Sequence, residues 1–178
     1  MGQPVASPPL PDVLHDVLAP SLQVVLCGTA ASTVSAKASA YYAHPQNKFW
    51  TILHQTRLTP ERLQPRQFRE LLRYRIGLTD LVKTHSGMDH QIRAGFGEIA
   101  RARLRASILN VRPQFLAFTS KTAGQSFLGG RRHYGEQAEG LAGTRIWILP
   151  STSGAANGSW RPELWHQFAD RVRAANGE

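Results

Sequence analysis

The chain has 178 residues, 42% of them hydrophobic and 19% charged, which suits one compact domain and excludes a disordered chain. Lysine and arginine outnumber aspartate and glutamate 21 to 12, a formal net charge of +9 with a pI of about 10.6; this favours a polyanionic partner, nucleic acid first among them. The single cysteine, Cys27, excludes an internal disulfide framework and a cysteine-held zinc or iron–sulfur centre, and no apolar run approaches the ~18 residues of a membrane span.

Met1 to Pro20 is proline-rich and lacks a basic start followed by an apolar stretch, so no signal peptide but a cytoplasmic protein is expected, with residues 1–12 as a loose tail. Residues 13–178 are expected to form a single domain. Leu22 to Cys27 (LQVVLC) has the Val/Leu content of a buried parallel strand and ends at Gly28. Gln46 to Gln55 places Phe49, Trp50, Leu53 and His54 at helical spacing after Pro45, and Pro65 to Tyr74 carries Phe68, Leu71 and Leu72 on one helical face. Phe96 to Leu109 is expected to be a basic helix with Ile99, Leu104, Ile108 and Leu109 inward. A second strand runs from Gln114 to Phe118, a helix from Lys121 to about Phe127 stops at Gly129 and Gly130, and a third clear strand is Arg145 to Leu149 (RIWIL). A closing helix spans Pro162 to about Ala174. Arginines 57, 62, 66, 69, 73 and 75 crowd one stretch and 93, 101, 103 and 105 another; solvated helix faces explain these clusters about as well as phosphate contacts do.

Strands alternating with helices predict right-handed crossovers and a parallel sheet covered on both faces. Ligands then bind outside the carboxyl ends of the strands. The residues to watch are those from Gly28 and from Ser151 onward.

Three segments follow one another in the chain: Cys27-Gly28-Thr29-Ala30-Ala31-Ser32 with the later Tyr41-Tyr42-Ala43-His44-Pro45-Gln46-Asn47-Lys48-Phe49-Trp50, then Gly77-Leu78-Thr79-Asp80-Leu81-Val82, then Leu149-Pro150-Ser151-Thr152-Ser153-Gly154. In this order they resemble the mismatch-specific uracil-DNA glycosylases, the branch of the uracil-DNA glycosylase superfamily that includes thymine-DNA glycosylase. That family carries a G-x-N-P-G loop, an aromatic-A-H-P-x-N-x-F-W segment, a G-[LV]-T element and an L-P-N-P-S-G loop. The resemblance covers roughly residues 22 to 175, and Ala43 to Trp50 is its most specific piece.

The resemblance implies a three-layer αβα sandwich around a mostly parallel sheet of about four strands. It also implies a monomeric enzyme that flips uracil out of DNA and hydrolyses the bond to deoxyribose. The loop from Gly28 to Ser32 would lie against the base, with Gly28, Thr29 and Ala30 as substrate-binding residues and the Thr29 N–H donating to a uracil carbonyl. Tyr42 stands where the family stacks an aromatic ring on the flipped base. Ser151 replaces an asparagine of the last loop and Thr152 its proline. Ser153, Gly154, Ala155, Ala156 and Asn157 align with the DNA-insertion loop, where Ala155 is a poor wedge. Ser153 and Gly154 could bind phosphate. Asn47 is expected to tie loops together, and Phe49 with Trp50 to pack in the core.

Ala30 departs from the family at its catalytic asparagine, and alanine can neither orient water nor accept a proton. Either another residue does that work or the chain is a DNA-binding member without catalysis. Of the twelve acids, Asp12 and Asp16 precede the first strand, Glu61 and Glu70 belong to a surface helical region, and Glu98 starts the basic helix. Glu136, Glu139, Glu163, Asp170 and Glu178 fall in late loops or the closing helix. Asp80, in the element that the family folds beside its active site, is the expected general base or electrostatic stabiliser. Asp89 is the reserve and His85 a weaker candidate. No metal or cofactor is implied: the seven histidines show no ligand spacing, His85 and His90 being the nearest pair. A nucleotide- or flavin-binding protein is disfavoured by the lack of G-x-G-x-x-G and of a P-loop lysine.

Overall fold

A computed structural model of the chain describes residues 9–88, 92 and 95–177. Asp89 and His90 lie outside the described residues. Among the described residues five strands, β1 (Val24–Gly28), β2 (Ile76–Asp80), β3 (Phe115–Phe118), β4 (Gly135–Leu141) and β5 (Thr144–Ile148), form one sheet in the order β2-β1-β3-β5-β4. Every pairing is parallel except β4 with β5.

The short apolar runs become strands because both faces of the sheet are covered. Val24 and Leu26 of β1 face one core and Val25 and Cys27 the other. Phe115 and Ala117 alternate with Leu116 and Phe118 in the same way, and Trp147 with Ile146 and Ile148. The first core is aromatic. It gathers α2 (Phe49–Gln55), a 3-10 helix (Pro65–Tyr74) and α5 (Pro162–Ala175) through Phe49, Trp50, Phe68, Trp165 and Phe168. The second is mostly aliphatic, packed by α3 (Glu98–Val111) and α4 (Lys121–Leu128) through Leu104, Ile108 and Phe127. At Gly124 of α4 a Cβ would come within 2.4 Å of Ile148 Cδ1, so this helix sits as close to β5 as a glycine permits.

Two expectations need correction. The inner side of α3 holds Leu104 and Ile108, while Ile99 is 87% exposed and Leu109 is exposed as well. At roughly 100° per residue, Ile99 lies about 180° around the helix from Ile108, so these residues cannot share a face. The sheet also has a fifth strand. Glu136 and Glu139, expected in loops, lie on β4, an antiparallel edge strand whose register slips between Glu136 and Gly140. Its side chains are paired along the edge: Glu136 with Arg145 at 2.6 Å and Arg171 at 3.5 Å, and Glu139 with Arg132 at 2.6 Å.

Before β1 the chain is already docked at Asp12, whose two carboxylate oxygens each accept from Arg103 at 2.6 Å. Val13 N then donates to Lys83 O, and Val17 bridges to Leu78. Among the described residues no helix is long and apolar enough to cross a membrane.

Candidate active site

The strand order reverses direction at β1, which has β2 on one side and β3 on the other. Such a switch point opens a crevice at the carboxyl ends of the strands. A cavity of about 840 Å3 lies there, lined by the ends of β1, β2 and β3, the turn at Tyr42, and the loop after β5. Gly28, Thr29, Ala30, Tyr42, Asp80, Ser151, Ser153, Gly154, Ala155 and Ala156 all border it. Asn157 does not. Its side-chain oxygen accepts from Lys48 Nζ, which holds the loop to α2.

Asp80 is the last residue of β2, in register with Gly28 at the end of β1. A Cβ on Gly28 would meet Asp80 Oδ1 at 2.4 Å and the Tyr42 hydroxyl at 3.2 Å. The missing side chain at residue 28 is therefore what lets a carboxylate and a phenol converge on one point. Asp80 is 6% exposed, and its side chain makes no hydrogen bond among the described residues. Burial is the main cause that pushes its pKa up to about 7; the Lys83 ammonium pulls the other way, and the Asp16 carboxylate adds to the rise.

Behind β2, Lys83 is buried and donates to Asp16 Oδ1 at 2.6 Å, to the Asp80 backbone oxygen at 2.9 Å and to Thr79 Oγ1. Thr79 Oγ1 in turn donates to Asp16 at 2.7 Å. Neighbouring residues of one strand point to opposite faces, so Thr79 joins this network while Asp80 faces the cavity.

The Tyr41–Trp50 segment builds a mount for one ring. Tyr42 adopts a left-handed backbone, φ 51°, and the Trp50 indole N–H donates to the carbonyls of Tyr41 and Tyr42, both at 3.3 Å. The Tyr42 and Phe49 rings stack with centroids 3.7 Å apart and planes 11° from parallel. The Tyr42 hydroxyl hydrogen-bonds Thr119 Oγ1 at 2.9 Å. Burial raises its pKa first and Asp80 second, which keeps the phenol protonated. Phe49 and Trp50 are thus core residues with a positional duty. Asn47 bonds locally, accepting from Phe49 N at 2.9 Å at the start of α2. The tie between loops comes from Lys48, whose backbone N–H donates to Thr152 O at 2.9 Å.

Thr119, Ser120 and Lys121, which belong to none of the sequence motifs, also line the cavity. Ser120 caps α4 by accepting from Ala123 N at 3.0 Å, and its hydroxyl lies 2.7 Å from Thr29 Oγ1. The signal was present in the topology, because Thr119 directly follows β3 just as Thr29 follows β1. Lys121 extends its ammonium over the Tyr134 ring at 4.2 Å. The expected weaker base, His85, is occupied by a hydrogen bond to Thr84 Oγ1 at 2.9 Å and does not line the cavity. Among the described residues no group of three or more His, Cys, Asp or Glu converges as a metal site would require.

The fold and chain agree with known proteins. A solution NMR structure from Methanosarcina acetivorans, described as a candidate uracil DNA glycosylase, superposes with a TM-score of 0.61 at 19% identity over 90% of this chain and 96% of that one. The family model of the uracil DNA glycosylase superfamily matches residues 15–171. The chain belongs to the uracil DNA glycosylase superfamily.

Proposed function

We propose that the protein is a monofunctional uracil-DNA glycosylase of the mismatch-specific branch. It acts on uracil flipped out of DNA, U·G mismatches included, and leaves an abasic site. The observation that carries this reading is the Asp80 carboxylate, buried at the cavity floor without a hydrogen-bond partner among the described residues.

As the bond between base and sugar lengthens, positive charge develops on deoxyribose and negative charge on uracil. Ionised Asp80 stabilises the sugar cation or takes a proton from the attacking water. The water hydroxyl joins the sugar carbon, and its proton ends on the departing base. The Thr29 N–H, at the open end of β1, offers a donor to a uracil carbonyl, with Gly28 and Ala30 leaving room for the ring. Tyr42, already stacked on Phe49, presents an aromatic platform worth ~1–3 kcal/mol per stacked base. Ser151 borders the base pocket, and Ser153, Gly154, Ala155 and Ala156 form the rim toward the DNA backbone.

Incubation with an oligonucleotide bearing one uracil, followed by alkaline cleavage of abasic sites, tests the reading. Strand breaks are expected for U·G duplex and are lost in Asp80→Ala. Folded protein that cleaves neither U·G, U·A nor single-stranded uracil overturns it. A second reading, a DNA- or damaged-base-binding member without catalysis, is favoured by Ala30, which brings no polar group where the resembled family carries its catalytic asparagine. That reading fails if Asp80→Ala binds uracil-containing DNA normally while turnover falls at least a hundredfold.

A further inference from the structure

Pulling a base out of a duplex leaves a gap in the stack, and proteins commonly fill such gaps with a large apolar side chain. The loop after β5 has little to offer. Its residues from Gly154 to Ser159 are glycine, alanine, asparagine and serine, and Asn157 is engaged by Lys48. Among the described residues five large apolar side chains are exposed: Leu10, Val34, Met88, Ile99 and Leu109. Only Val34 and Met88 line the cavity. Val34 is short, branched and 38% exposed on α1 (Thr33–Ala38). Met88 is long, unbranched and 57% exposed.

The backbone holds Met88 at the lip. Leu81 N donates to Gly28 O at 2.9 Å and Val82 N to Thr29 O at 2.8 Å, so the chain after β2 is zipped to the chain after β1. The zipper resumes at the bridge between Ala31 and Ser86 and at Gly87 N, which donates to Ala31 O at 2.9 Å. Met88 therefore follows a braced backbone that leads out from the same floor as Asp80. A thioether chain is flexible and polarisable, and it packs well on aromatic faces such as those of bases.

We propose that Met88, from the rim supplied by the chain after β2, is the side chain that enters the DNA stack when the base leaves it. This inference rests on the base-flipping part of the proposed function. It adds a specificity residue for duplex substrate: a wedge is needed where a partner strand stacks around the gap, and much less on a single strand.

The test reads insertion separately from chemistry. A duplex carries 2-aminopurine beside the uracil, and its fluorescence rises when the neighbouring stack opens. Wild-type protein is expected to raise the signal, Met88→Ala to raise it far less, and Met88→Leu to keep most of it. In single-turnover cleavage, the ratio of duplex to single-strand rate is expected to fall about tenfold or more in Met88→Ala. A pyrene nucleotide opposite the uracil, which occupies the gap itself, is expected to restore the duplex rate. An unchanged ratio in Met88→Ala overturns the inference, as does an equal loss on both substrates or the absence of a fluorescence rise with wild-type protein. Fluorescence without cleavage by the wild type supports the wedge while removing the hydrolytic step, so the two readings fail separately.

Discussion

The two sides of the end of β2 handle a carboxylate in opposite ways. Behind the strand, Asp16 is satisfied by the Lys83 ammonium at 2.6 Å and by the Thr79 hydroxyl at 2.7 Å. On the cavity side, one residue further along, Asp80 is more deeply buried and has no hydrogen-bond partner among the described residues. A paired acid supports a fold, whereas an acid buried beside a cavity without a protein partner has the environment that raises a carboxylate pKa and that functional sites favour. Lys83 sits between them, with its ammonium on Asp16 and on the Asp80 backbone oxygen but without a hydrogen bond to the Asp80 carboxylate. The Lys83 ammonium, just past the strand, thus lowers the Asp80 pKa without forming an ion pair with its carboxylate.

The most severe way to break this contrast is Asp80→Asn. Uracil excision is expected to fall by about 10²–10⁴-fold, the usual worth of a positioned base, in single-turnover assays at pH 8. The same variant is expected to be more stable. Asp80 ionises near pH 7 when folded and near its ordinary 3.8 when unfolded. Its contribution to stability is therefore complete below about pH 4 and is lost as pH rises through 7, a penalty of at most roughly 4 kcal/mol at pH 8. Thermal unfolding should show the gain in Asp80→Asn at pH 8 and its disappearance toward pH 4.

Next in size is Gly28→Ala. The added methyl claims the space of Asp80 Oδ1, so the carboxylate must turn away; cleavage is expected to drop about 10²-fold, since misplacement by about 1 Å costs that much. Binding of abasic DNA, measured by anisotropy, should change far less.

Lys83→Met and Asp16→Asn sharpen the contrast from behind. In the wild type the rate is expected to rise with pH as Asp80 ionises near 7. Removing the Lys83 cation raises the Asp80 pKa further and moves this acid limb to higher pH. Removing the Asp16 anion moves it lower. Shifts of the same sign in both variants would break the account. The smallest effect belongs to Arg103→Ala. Asp12 is held down in pKa chiefly by its hydrogen bonds to Arg103, but the arginine is half exposed, so urea unfolding is expected to lose no more than about 1 kcal/mol.

Much of this architecture can be read in the chain because apolar runs buried on both faces announce themselves. VVLCG, FLAF and TRIWI stand out without any partner in view. GEQAEGL does not: β4 turns no apolar row toward the core, and only the neighbouring β5 makes it a strand. The site divides in the same way. Gly28, Asp80 and Tyr42 follow from strand ends and motif resemblance. The duties of Thr119, Ser120 and Lys48 arise from contacts across 77, 91 and 109 residues of chain, and no local pattern carries such distances.

The edge strand has one more consequence. An outermost strand displays unbonded amides and carbonyls that could recruit a second molecule into an endless sheet. Here Glu136 and Glu139 along that border are clasped by Arg145, Arg171 and Arg132, and the ladder is broken between Glu136 and Gly140. An incoming strand would find charge and a faulty spacing where it needs a flat, greasy ribbon, so concentrated solutions of the folded protein should resist fibril growth from this side.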